Sequence, residues 1–187
     1  MFKKIASLTF LVLAISCTKE QPFSDRSANV SFEEINHGTK VTVSDNKLAW
    51  EQTDSYYLYN GAKGYKYQYV SNGVFRPAEA VKKSDKYQAF YPYSWVKSVS
   101  GDVFTVEFPS IQTTKDGIIT GDSFPFACIS DNLNNLKFKN LTGIIDFNIK
   151  TKTQSKSIVK ATLSADKPIA GTASVSTSDY SVSMQGT

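Results

Sequence analysis

Histidine and cysteine are scarce in this chain of 187 residues, which contains one histidine and two cysteines. Transition-metal sites draw their ligands from clusters of those residue types, and the composition offers no such cluster. A serine-hydrolase triad would have to use His37, and a lone histidine in a predicted turn is more often a solvated polar residue. No glycine-rich phosphate loop is present either. We therefore predict a protein that is not an enzyme, with no catalytic residue, no cofactor and no metal site.

Two further kinds of chemistry have to be considered, and only the second stays open as an alternative. Residues 131–138, DNLNNLKF, offer side-chain oxygens but too few carboxylates for a dedicated calcium loop. Paired carboxylates for glycoside cleavage remain an alternative, because any two acidic residues can meet in a fold. Nucleic acid is not an expected partner: the net charge is +4, but the lysines are spread along the chain and interleaved with acidic residues.

The chain also lacks an apolar run of the roughly 20 residues that a bilayer-spanning helix needs. Its apolar run at residues 5–15 follows two lysines and fits the central region of a secretory signal. The letters LAISC resemble a bacterial lipobox, which implies cleavage before Cys17 and a diacylglycerol on its sulfur. Two or three acyl chains would anchor the protein stably to a membrane. The alternative is an ordinary signal peptide that happens to contain a cysteine.

The second cysteine, Cys128, lies in the apolar segment FPFACIS. An unpaired thiol in an oxidising compartment is normally buried and inert, or it pairs between chains. The apolar neighbours favour the buried alternative.

Helical periodicity is absent from every stretch of ten or more residues, whereas short alternating strands separated by turn residues are frequent. An Asn72-Gly73 turn predicts a hairpin. The alternation predicts that each of these groups shares one face of a strand: Tyr65, Tyr67 and Tyr69; Phe104, Val106 and Phe108; Leu136 and Phe138; Ile145, Phe147 and Ile149; Val159, Ala161 and Leu163. The pattern predicts an all-β sandwich or barrel with antiparallel pairing, because no helical crossover is available.

The tyrosine-rich strands admit two interpretations. Their rings could stack on sugars, as in carbohydrate-binding modules. They could equally cover a half-buried sheet face with their hydroxyl groups reaching solvent, and the strand-like spacing favours this second interpretation.

Five segments, in order along residues 30–175, resemble the fimbrillin family, the subunits and accessory proteins of type V pili of Gram-negative anaerobes. They are the Trp50 and Asp54 pair before a strand, YQAFYPYS, VEFPSIQT, LKFKNLTGIIDFNI and SIVKATLSADKPIAG. CTKEQ after the lipobox also resembles the signature of lipoproteins exported to the cell surface. The resemblance implies a transthyretin-like antiparallel β-sandwich and a structural fimbrial protein that serves in surface attachment.

The resemblance also implies a domain order. Residues 1–16 would be a lipoprotein signal peptide, 17–29 a flexible tether, 30–175 the sandwich domain, and 176–187 a linker or the beginning of a second domain. The precursor would be lipid-anchored in the outer membrane and would reach the surface fimbrium. Expected partners are other fimbrial subunits or copies of itself, joined by strand exchange, together with host or bacterial surface ligands as an open alternative.

Processing in the family follows an arginine after the first strand, and this chain has only Arg26 and Arg76. Cleavage at Arg26 would leave the first strand in place, and Arg76 is followed by a proline. Lys40 and Lys47 are therefore the alternative processing sites. The alternative function is a surface lipoprotein that binds glycans through its tyrosine-rich sheet faces.

Overall fold

The computed structural model of the protein describes residues 27–32, 50–111, 114–115, 118–119, 124–143, 162 and 164–185. The strands are β1 (Ala28–Phe32), β2 (Ser55–Tyr59), β3 (Gly64–Ser71), β4 (Val74–Pro77), β5 (Tyr87–Tyr91), β6 (Val96–Ser100), β7 (Val103–Phe108), β8 (Thr114–Lys115), β9 (Ile118–Ile119), β10 (Phe126–Ser130), β11 (Leu136–Asn140), β12 (Gly171–Ser176) and β13 (Val182–Met184). A single 3-10 turn, Tyr93–Trp95, precedes β6, and the described residues contain no α-helix. The prediction of an all-β fold is confirmed.

Seven strands form a closed sheet in the order β1-β11-β10-β5-β2-β3-β4, in which β4 pairs back onto β1 as in a barrel. All of its pairs are antiparallel except one, because β1 and β11 run parallel. The expectation of purely antiparallel pairing is therefore wrong at this position. Two parallel strands must be joined by a long connection, which is usually a helix. Here the connection from β1 to β11 contains the strands β2 to β10 instead.

The interior of the closed sheet is an aromatic core produced by residue alternation along each strand. Tyr65, Tyr67 and Tyr69 share this inner face, as the sequence predicts. The expectation of a half-buried face with hydroxyl groups in solvent is wrong at Tyr65 and Tyr67, which are buried, whereas Tyr69 is half-buried. Leu136 and Phe138 also point inward, while Lys137 and Lys139 on the same strand are exposed. The rings pack edge-on or offset: the Tyr56 and Tyr67 centroids lie 5.1 Å apart and those of Tyr56 and Phe138 5.4 Å apart, which are favourable separations for aromatic pairs.

A second sheet, in the order β13-β12-β7-β6, packs against the outer face of β2, β5 and β10. Phe90 and Ala127 contribute from the closed sheet to this second core, which confirms the predicted inward face of β7. Every residue of β5 is buried, because the strand has one core on each side. β8 and β9 form a separate two-stranded ribbon.

Both ends of the described fold extend past the boundaries expected from the sequence. β1 begins at Ala28, inside the expected tether of residues 17–29, because the Ala28 side chain is fully buried against β4. β13 lies beyond residue 175 and pairs with β12 across a turn at Asp179, whose carboxylate accepts a hydrogen bond from the Ser181 N–H. This segment is rich in serine and therefore resembles a loop in sequence, although it forms a hairpin. A strand on a sheet with one solvated face needs apolar side chains only at every second position.

Candidate functional site

The candidate site is the groove that β1 occupies between β4 and β11. Ala28 and Asn29 pair with β4, and Val30 to Phe32 pair with β11. The Val30 N–H also donates a 3.0 Å hydrogen bond to the Gly73 carbonyl in the β3–β4 turn. β1 thus satisfies backbone groups of both neighbouring strands, and it is the element that closes the sheet.

Alternate side chains of β1 fill the groove. Ala28 and Val30 are buried in the aromatic core, whereas Asn29 and Ser31 are exposed. The Phe32 ring stacks on Trp50 at 4.5 Å and lies 4.8 Å from the Phe126 ring. The groove therefore accepts a small residue, a branched aliphatic residue and an aromatic residue at every second position.

Trp50 forms the base of the pocket that holds the Phe32 ring. Its ring meets Phe75 at 4.9 Å, Tyr91 at 5.2 Å and Phe138 at 6.2 Å, so it connects β4, β5 and β11 beneath Phe32. The sequence marks Trp50 as part of a motif, but no local pattern indicates that it contacts β1.

Asp54 fixes the loop that carries Trp50. Its Oδ2 accepts a 2.7 Å hydrogen bond from the Glu51 N–H, and its Oδ1 accepts one of 2.7 Å from the Tyr91 hydroxyl. Only 8% of Asp54 is exposed, and a buried carboxylate is tolerated when its oxygens are hydrogen-bonded. The Trp50 and Asp54 pair is thus a structural unit that ties this loop to β5.

The β3–β4 turn allows β1 to approach closely. Asn72 and Gly73 both have positive φ, 49° and 75°, which is the requirement of a tight hairpin turn of the kind that Asn-Gly favours. A Cβ on Gly73 would lie 3.0 Å from the Val30 carbonyl oxygen. The sequence predicts the turn, but the contact with β1 emerges only in the fold.

The proposed lipid-attachment and processing residues Cys17, Arg26, Lys40 and Lys47 lie outside the described residues, as does His37. Their order along the chain still matters for the groove. Arg26 precedes β1, whereas both lysines lie between β1 and Trp50. Arg76, the remaining arginine, is exposed on β4.

Cys128 is fully buried in the aromatic core, which confirms the expectation from its apolar neighbours. Burial raises the pKa of its thiol to about 12, so the group stays protonated and unreactive at neutral pH. The Tyr56 hydroxyl is buried as well, and it has no hydrogen-bond partner among the described residues.

The described parts of the chain contain no helix of the length and apolar character needed to cross a membrane. Within the same ranges, no three or more His, Cys, Asp or Glu side chains are grouped so that they could hold a metal ion.

The chain matches no protein-family model, no curated protein and no solved structure. The resemblance to fimbrillins therefore rests on the sequence motifs, several of which the structure describes. YQAFYPYS forms β5 and enters the 3-10 turn, VEF ends β7 with Pro109 directly after it, and LKFKN is β11. The segments IIDFNI and SIVKA lie outside the described residues.

Proposed function

We propose that the protein is a structural subunit of a surface fimbria, made as an outer-membrane lipoprotein anchored through Cys17. The observation that carries the proposal is β1: a five-residue strand that lies between β4 and β11 and closes the seven-stranded sheet. We also propose that the fold is a transthyretin-like sandwich. Strands β2, β5 and β10 of the closed sheet would form one layer, and the sheet of β6, β7, β12 and β13 would form the other.

Loss of β1 would leave the sheet open along its whole length. The edges of β4 and β11 would lose their backbone partner, and the pockets of Ala28, Val30 and Phe32 would expose the aromatic core. An open edge of this kind readily accepts a strand from another chain. Main-chain hydrogen bonds would supply affinity, and the alternate pockets would supply specificity. These features support assembly by strand exchange.

The order of the processing residues gives two distinct products. Cleavage at Arg26 would detach Cys17 and its lipid from a chain that keeps β1. Cleavage at Lys40 or Lys47 would instead separate the lipid together with β1 from the rest of the fold. Only the second product would have an open groove, so we propose that the lysine segment is processed in an assembling subunit.

A pair of matched variants tests strand exchange. In the first, a recognition sequence for a site-specific protease replaces residues 40–46, after β1; in the second, it replaces residues 20–26, before β1. After cleavage, we expect the first variant to bind a fluorescent peptide of residues 27–35 and to form SDS-resistant oligomers, because its β1 is held only by non-covalent contacts. The second variant is expected to do neither.

Pocket specificity supplies a further control in the same assay. A labelled peptide carrying Val30→Asp should not bind, since a carboxylate would enter an apolar pocket without a partner. If the first variant excludes the unmodified peptide and stays monomeric after cleavage, strand exchange through β1 is wrong. Equal behaviour of the two cleaved variants would contradict the proposed role of the lysine segment.

The lipid anchor is tested by intact mass and fractionation of the full chain made in a Gram-negative host. We expect acyl mass on Cys17 and recovery in the outer membrane, and loss of both in Cys17→Ser, because acyl chains provide the anchoring energy. Cys128→Ser is the matched control and should keep the lipid. An unmodified wild-type chain in the soluble fraction would instead support the ordinary signal peptide.

A further inference from the structure

A cleft distinct from the groove of β1 lies where the closed sheet meets the β12–β13 hairpin. Its volume is about 530 Å³, within the range of small-molecule sites. The side chains that matter for its chemistry are Asp85, Lys86, Asp131, Asn135, Lys137 and Tyr180. They come from the loop before β5, the β10–β11 turn, β11 and the β12–β13 turn. Sites at junctions between structural units of this kind are common.

We propose that this cleft binds a neutral saccharide. The lining carries two carboxylates and two ammonium groups, and the side chains of Asp102 and Lys139, which contact lining residues, add one charge of each sign. The balanced charges favour neither an anion nor a cation. An apolar ligand would cover the polar groups of the lining without pairing with them, which is unfavourable. A polyhydroxylated ligand suits the lining because each hydroxyl group both donates and accepts, and carboxylate, ammonium and amide groups can pair with it. This inference is independent of the fimbrial proposal.

Tyr180 gives the cleft an aromatic wall in an unusual conformation. The residue has a φ of 61°, a region that residues other than glycine, asparagine and aspartate rarely adopt. The Asp179 carboxylate stabilises the turn by accepting hydrogen bonds from the Ser181 N–H at 3.0 Å and the Ser181 hydroxyl at 2.8 Å. Conformations of this kind persist where the surroundings enforce them, often at ligand sites. The Lys139 ammonium lies 4.6 Å from the Tyr180 ring centroid.

The opposite wall is held by hydrogen bonds within the β10–β11 turn. The Ser130 Oγ accepts from the Asn132 N–H at 3.1 Å, and the Asn132 carbonyl accepts from the Asn135 N–H at 3.1 Å. Asp131 and Asn135 are therefore presented from a fixed backbone. At the rim, Lys86 forms a 2.8 Å ion pair with Asp102. Preorganised polar groups lose less entropy when a ligand binds.

The test is a titration of the full chain with D-galactose, D-mannose, L-fucose and N-acetyl-D-glucosamine, followed by amide chemical shifts. We expect at least one sugar to bind with a dissociation constant on the order of 1 mM, which suits a few hydrogen bonds and one ring contact. The shifts should concentrate on the β10–β11 turn and the β12–β13 turn. If none of the four sugars shifts these signals at about 20 mM, the proposal is overturned.

Substitutions at Tyr180 test the aromatic wall. Tyr180→Gly and Tyr180→Asn both tolerate positive φ, so the fold should survive, which thermal unfolding will verify. Each should weaken sugar binding by about tenfold or more through loss of ring contact. Lys97→Gln on exposed β6 is the control and should bind as the wild type does. Unchanged binding in both folded Tyr180 variants would contradict the proposal.

Charge substitutions separate a neutral ligand from a charged one. Asp131→Asn and Lys137→Gln keep hydrogen-bonding groups, so each should change the affinity for a neutral sugar by less than about threefold. D-galacturonic acid is the comparison probe. If it binds more tightly than galactose and Lys137→Gln removes that binding, the cleft is an anion site and the neutral-saccharide proposal is wrong.

Discussion

Gly73→Val is expected to destabilise the protein by about 3 kcal/mol and to loosen β1. Two effects combine at this position. A β-branched residue is strained at the positive φ of Gly73, and its Cβ would lie 3.0 Å from the Val30 carbonyl oxygen. Relief of that contact requires β1 to move away from β4. Chemical denaturation will give the free energy of unfolding, and hydrogen exchange will show lower protection of the Val30 amide, which donates to Gly73.

Gly101→Val separates the two effects. Gly101 also has positive φ, 56°, in the turn between β6 and β7, but a Cβ there would meet nothing within 4 Å. The free energy of unfolding of this control should therefore fall only by the cost of the backbone conformation, about 1.5 kcal/mol. Hydrogen exchange of the β1 amides should be as slow as in the wild type. If the free energy of unfolding falls equally in the two variants, the β3–β4 turn at Gly73 does not restrain β1.

Removal of two buried tyrosine hydroxyl groups is expected to change stability in opposite directions. Tyr91→Phe should cost about 2 kcal/mol, because it leaves the buried Asp54 Oδ1 without the hydrogen bond that it accepts at 2.7 Å. Tyr56→Phe should instead stabilise the protein by about 1 kcal/mol, because its buried hydroxyl has no hydrogen-bond partner in the described structure. Both rings stay in the same aromatic core, so packing changes little.

Thermal and denaturant unfolding of the two variants will give the signs directly. In an Asp54→Ala background, Tyr91→Phe should cost clearly less than it does in the wild type, since the hydrogen bond between the Tyr91 hydroxyl and Asp54 is already gone. A destabilising effect of Tyr56→Phe similar to that of Tyr91→Phe would mean that the Tyr56 hydroxyl has an unrecognised partner, such as an internal water.

The sequence predicts several local features of the fold correctly. Side-chain alternation identifies the buried faces of β3, β7 and β11, the Asn72-Gly73 pair identifies a hairpin, and apolar neighbours identify Cys128 as buried. These features depend on residues close together in the chain. The limits of β1 and β13 were harder to predict, because short strands with serine and asparagine on their exposed face look like loops.

The candidate site was predictable only in part. The sequence places a first strand after Arg26 and marks Trp50 and Asp54 as a motif, but it does not show that Phe32 stacks on Trp50. The cleft was missed, since its lining comes from four separate segments and Tyr180 lies in a serine-rich tail. Asp179 is a local turn signal in that tail, because an aspartate side chain hydrogen-bonds the backbone two residues on, but no local pattern places Tyr180 beside a cleft.

The amino-acid pattern is sufficient to establish the all-β class and the inward faces of strands, because both follow from the two-residue period of a strand. The buried thiol follows from its apolar neighbours in the sequence. Tertiary structure alone decided that β1 runs parallel to β11 and that β5 has a core on both faces. It also decided that the Tyr56 hydroxyl is buried with no partner among the described residues. Those outcomes depend on which strands meet. Pairing between residues far apart in sequence is set by closure of the whole sheet, and no local period encodes it.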